Sequence, residues 1–155
     1  MNNSTNRKII PKLIKAPVKE AICEIRCDIS KAYSLLPGGL YESIKNSFPT
    51  VAELPFANIN GPIPDELKFI AAHRFVSAKK DFIAQIGPKL CSVNALDPYA
   101  GFETFSSHIT AVFEAYKRVA EPNKLHRIGL RYINLIPSAT SKKIEDYVNV
   151  DFALA

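Results

Sequence analysis

No apolar run in this chain approaches the roughly 20 residues that a membrane helix requires, so neither a spanning segment nor a membrane partner is expected. The stretch from Met1 to Lys8 is rich in Asn, Ser and Thr and has no apolar h-region. That pattern is not a secretory signal and points to the cytoplasm. Cysteine is scarce, at three residues: Cys23, Cys27 and Cys91. Cys23 and Cys27 share one face of a strand-like segment but stand about 13 Å apart at the strand rise. That is too far for a disulfide or a shared metal. All three read as small buried hydrophobes in a reducing compartment. His-Glu-x-x-His, Cys-x-x-Cys, Gly-x-Ser-x-Gly and phosphate-loop patterns are also missing, and His73, His108 and His126 have no ligand spacing. No metal, cofactor or catalytic constellation is therefore expected.

What is present is an ordinary globular composition, 47% hydrophobic and 23% charged over 155 residues. A domain of that length can hide roughly 70% of its unfolded surface and needs no staples. The net charge of +5 is unevenly placed. Arg7, Lys8, Lys12, Lys15 and Lys19 all precede the first acidic residue, Glu20, and from there on 15 basic residues face 15 acidic ones. The excess belongs to an arm and not to the fold. Residues 1–15 are expected to form a flexible basic arm, and residues 16–155 a single α+β domain.

Periodicity supplies the elements. Val18 to Ile29 reads as strand, with Ala21, Cys23, Ile25 and Cys27 alternating against Ile22, Glu24, Arg26 and Asp28. Pro37-Gly38-Gly39 reads as a turn, followed by a short helix through Leu40, Ile44, Ser47 and Phe48 that stops before Pro49. Thr50 to Asp65 holds three prolines and reads as an irregular connection. Lys68 to Val76, Asp81 to Ile86 and Leu90 to Leu96 form an antiparallel meander, turning at Ser77 to Lys80 and at Gly87-Pro88-Lys89. Phe102, Phe105, Ile109, Val112, Phe113 and Tyr116 recur at helical steps, with His108 on the polar side. Leu125 to Ile136 is a last strand, and Ser141 to Val148 opens a further helix. The expected order is β-α-β-β-β-α-β, an antiparallel sheet of about five strands with helices packed on one face.

Four blocks carry a resemblance. Ala16-Pro17-Val18-Lys19-Glu20-Ala21 leads to Cys23-Glu24-Ile25-Arg26. Ile86-Gly87-Pro88 is followed by Leu90 and Ser92-Val93-Asn94, then Pro98-Tyr99 with Gly101-Phe102, and finally the run from Arg127 to Asn134. In order and spacing, over roughly residues 16 to 136, these resemble a sporadically distributed, uncharacterised prokaryotic protein family. The resemblance implies a second part of comparable size beyond this region. Phe102 stands where many relatives carry Trp. No activity comes with the resemblance.

The strongest candidate surface is a mixed sheet face. Glu24 and Arg26 on the first strand, Arg74 and Gln85 on the meander, and Arg127 and Arg131 on the last strand share one side if their phases match, with Ile22, Val76, Ile83 and Ile133 among them. Arginine suits such a face because its fork grips carboxylate or phosphate bidentately and stacks on rings. The expected function is a non-enzymatic interaction module in which this face meets a protein partner, a second copy or an anionic small molecule. The plain structural alternative pairs Glu24 with Arg127 or Arg131 across strands. A second class is a nucleic-acid-binding accessory protein using the basic arm. A third is a hydrolase built around Cys91 or His73, and for a pairing of the two no orienting third group is evident.

Overall fold

A computed structural model of the chain describes residues 17–58 and 63–135. The basic arm and the helix expected over Ser141 to Val148 lie outside the described residues. Six strands and two α-helices are described: β1 (Val18–Ile29), α1 (Leu36–Ile44), β2 (Thr50–Glu53), β3 (His73–Val76), β4 (Phe82–Gly87), β5 (Leu90–Leu96), α2 (Phe102–Ala120) and β6 (Pro122–Asn134). The strands form one antiparallel sheet in the order β2-β3-β4-β5-β1-β6. The protein is α+β, as the alternating and helical periods indicate, with one strand more than expected.

The extra strand is β2. Its four residues pair with β3, from Thr50 opposite Val76 to Glu53 opposite His73. β-branched Thr50 and Val51 suit an edge position, and Pro55 limits the strand's length because it has no ladder donor. β3 is correspondingly shorter than expected. Asp65–Phe69 forms a 3₁₀ helix, and the strand begins only at His73. Pro37-Gly38-Gly39 is not a turn but the first turn of α1, where proline is tolerated because its missing N–H has no helical partner. Gly39 faces α2, and a methyl there would stand 2.8 Å from Val119 Cγ1. The glycine thus lets the two helices approach closely.

The helices cover one face of the sheet. Leu36, Leu40, Ile44 and Phe48 from the α1 region and Phe105, Val112, Ala115 and Tyr116 from α2 are buried with Ala21, Cys27, Phe75, Ile86, Cys91 and Val93 of the sheet. The apolar stripe of α2 is therefore core, except that Phe102 at its first turn is exposed. His108 faces inward rather than outward, stacked on the Phe82 ring at 3.8 Å. All three cysteines are free and buried. No helix among the described residues is long and apolar enough to cross a membrane.

On the opposite face the segment before β3 runs close against the turn between β4 and β5. Lys89 N donates to Lys68 O, and a methyl on Gly87 would overlap the Ile70 carbonyl oxygen. Because that obstacle is backbone, it cannot rotate away. Gly87→Ala is expected to destabilise the fold by about 1–3 kcal/mol, the range for overpacking. Gly38→Ala, which meets nothing within 4 Å, should stabilise it by about 0.5–1 kcal/mol. Urea unfolding of both variants checks the pair. Equal effects would contradict the close backbone contact at Gly87.

Candidate functional site

The register decides which side chains meet. Directly opposed residues of neighbouring strands point to the same face, and neighbours along a strand to opposite faces. Ile22 opposes Asn94 and Arg131, Glu24 opposes Ser92 and Gly129, and Arg26 opposes Leu90 and Arg127. Gln85 opposes Ser92 and Arg74. Glu24, Arg26, Arg74, Gln85, Arg127 and Arg131 therefore share the face turned away from α1 and α2. Ile22, Val76, Ile83 and Ile133 interleave with them, as the alternation requires.

Sharing a face does not make one site. Arg127, Arg131, Glu24 and Arg26 line a single depression of about 110 Å³ with Ile22, Gly129 and Leu130. Arg74 lies on β3, three strands from β1 in the sheet order, or about 14 Å at the usual spacing. It is outside that depression, and so is Gln85. Arg74 Nε is buried without a hydrogen-bond partner among the described residues.

The charges in the depression are unbalanced. Arg26 Nε donates to Glu24 Oε1 at 2.7 Å, and the Arg26 guanidinium lies 5.0 Å from the Phe69 ring centroid. The cross-strand pairing of Glu24 with Arg127 or Arg131 is replaced by this pair within β1. Glu24 is the one carboxylate lining the depression, and Arg127 and Arg131 form no ion pair among the described residues. The Arg127 guanidinium folds over Gly129, within 4 Å of where a side chain would begin. Towards the middle of the sheet Ser92, Asn94 and Glu20 form a chain, Ser92 Oγ to Asn94 Oδ1 at 3.3 Å and Asn94 Nδ2 to Glu20 Oε1 at 2.6 Å. Sequence reasoning passed over Ser92, Asn94 and Gly129. A lone glycine between two arginines in a strand was the available signal, since strand glycines mark close approach.

The helix-side face holds a second depression of about 450 Å³, lined by Tyr33, Ser34, Pro37, Phe56, Ala57, Ile63, His73 and Pro88. Tyr33 Oη lies 2.8 Å from His73 Nδ1 and 3.3 Å from the Ile86 carbonyl oxygen. His73 and Cys91 do not meet, because each opposes Ile86 from a different side of β4. Burial pushes the Cys91 thiol well up from its ordinary value, so a thiolate nucleophile is disfavoured there. At the far end of β1, Lys89 and His126 both reach Asp28, at 2.6 and 2.8 Å, and their hydrogen bonds hold its carboxyl below the usual range. No group of His, Cys, Asp and Glu among the described residues has the arrangement of a metal site.

Comparison with protein-family models, with curated proteins and with solved structures returns no match for the chain. The reading of its function therefore rests on these side chains alone.

Burial, opposed more weakly by Glu53, holds His73 below its ordinary 6.5. The unfolded chain then takes up the proton first, so this contribution to stability is full above pH 6.5 and is lost as pH falls. Urea midpoints at about pH 7.5 and about pH 5.5 should differ less in His73→Gln than in the parent. An equal difference in both would remove His73 from the pH response.

Proposed function

We propose that this chain is a non-enzymatic interaction module, acting in the cytoplasm, whose open sheet face docks a carboxylate-bearing partner chain or an anionic ligand. One observation carries the reading. Arg127 and Arg131 flank Gly129 with no carboxylate partner among the described residues, while the neighbouring Glu24 is occupied by Arg26. Two guanidiniums left free beside a notch can grip one carboxylate or phosphate, a geometry that a fully paired structural cluster lacks.

Arg74 and Gln85, farther along the same face, belong to the docking surface as outer contacts of a partner large enough to cover several strands. A second part of the kind carried by the family that the four sequence blocks resemble is one source of such a partner. Catalysis is not part of the reading, since the buried Cys91 and the Tyr33-bound His73 form no nucleophile–base pair.

The test uses poly-L-glutamate as the anionic probe. Its affinity for the chain, measured by calorimetry, should fall about tenfold in Arg127→Ala/Arg131→Ala, as the loss of two exposed charge pairs allows. The melting temperature should stay within about 2 °C of the parent, as for other surface substitutions. Unchanged affinity with a sharply lowered melting temperature would mean that both arginines serve the fold only.

A further inference from the structure

We propose that β6 accepts an added antiparallel strand from a partner protein, in which carboxylates alternate with apolar side chains. The proposal rests on the docking face described above and specifies both the mode of binding and the class of partner.

The sheet has two edges of different kinds. β2 offers only four residues. β6 runs for 13 residues, pairs with β1 on one side and is exposed along nearly all its length. Its register against β1 is continuous from Arg127 to Ile133, and the irregularities lie outside that stretch. Among the described residues nothing pairs with the outer edge of this seven-residue stretch, whose alternate residues present backbone donors and acceptors outward. Edges of this length are usually blunted by proline, bulges or covering elements, and here proline occurs only at the first position, Pro122.

The side chains specify what fits. On the helix side, Ile128 is 65% exposed, Leu130 52% and Tyr132 37%. They form an apolar row outside the buried core, with Tyr132 at one end packed edge-on against Tyr99 of the segment before α2. On the open side, Arg127, Gly129 and Arg131 alternate with that row. β6 also carries Lys124 and His126 and has no acidic residue. An incoming strand in register would set apolar side chains against Ile128, Leu130 and Tyr132. Its intervening residues would oppose Arg127, Gly129 and Arg131. A carboxylate opposite Gly129 would meet the Arg127 guanidinium that folds over the glycine, with Arg131 on its other side.

A second copy of β6 fits less well. Two-fold pairing centred on Gly129 sets Arg127 directly against Arg131 of the other copy, and centring on Leu130 sets them diagonally. Like charges so placed destabilise a strand pair. A nucleic acid could meet the arginines but would leave the apolar row and the backbone ladder unsatisfied.

The experiment titrates the 155-residue chain into a fluorescein-labelled heptapeptide, Val-Glu-Val-Glu-Val-Glu-Val, read by fluorescence anisotropy. Two control peptides are used: one with Lys replacing each Glu, and one with Glu retained but alternate backbone nitrogens methylated. Saturable binding by the acidic peptide alone, weakened by salt and about tenfold in Arg127→Ala/Arg131→Ala, supports strand addition. Circular dichroism confirms that the variant is folded. Equal binding of the methylated acidic peptide overturns edge pairing while leaving the docking face intact. Equal binding of the lysine peptide, or none by any peptide, overturns both. A dimer in native mass spectrometry that dissociates in Arg127→Glu/Leu130→Glu would show that a second copy takes the edge, which also overturns the proposal.

Discussion

Among the described residues β6 has a single strand neighbour, β1, and its Tyr132 also packs edge-on against Tyr99 of the segment before α2. The four internal strands, β3, β4, β5 and β1, each have two sheet neighbours and a helical layer over one face. At β6 that layer has ended. Among the described residues the same strand therefore has an unpaired edge, a largely exposed apolar row and an arginine-bearing face, and these follow from a single fact of topology. A strand in this position remains ordered because its hydrogen bonds to β1 extend over most of its length. Cross-strand pairs such as Cys23 with Leu130 add packing on the side nearest the core.

β1 in turn separates two chemistries. Its Ala21, Cys23 and Cys27 enter the core, with Cys27 Sγ 3.6 Å from the Tyr116 hydroxyl. Its Glu24 and Arg26 lie on the other side and pair with each other. Had Glu24 instead turned across to β6, it would have neutralised Arg127 or Arg131, and the face would hold no unbalanced charge. Local pairing at i and i+2 thus leaves the long-range cations unmatched. The Phe69 ring beneath Arg26 favours this arrangement by fixing the guanidinium over the β4–β5 end of the sheet.

Much of this was legible in the amino-acid order. Alternation placed β1 at its observed bounds and put the six polar candidates on one face, because strand periodicity is strict and each strand has one strongly apolar side. Helical spacing identified α2 and its buried Phe105, Val112 and Tyr116. Three features were not legible, and each depends on long-range contact. β2 is strand only because β3 lies beside it. Pro37-Gly38-Gly39 opens α1, where Gly39 lies against Val119 of α2, a contact that the local sequence does not announce. The ends of a helical layer leave no local trace, so nothing in Ile128, Leu130 or Tyr132 distinguishes an exposed apolar row from a buried one. Likewise, a shared face was readable, but the separation of Arg74 and Gln85 from the Gly129 notch required the strand order.

Residue-resolved hydrogen exchange on the 155-residue chain tests the central claim most directly. In an antiparallel edge strand, alternate N–H groups bond to the neighbour and the others point into solvent. A free β6 edge predicts slow and fast exchange in strict alternation from Arg127 to Ile133, beside uniformly slow exchange in β5. Uniform protection across Arg127 to Ile133 would mean that the edge is already covered, contradicting an open docking strand.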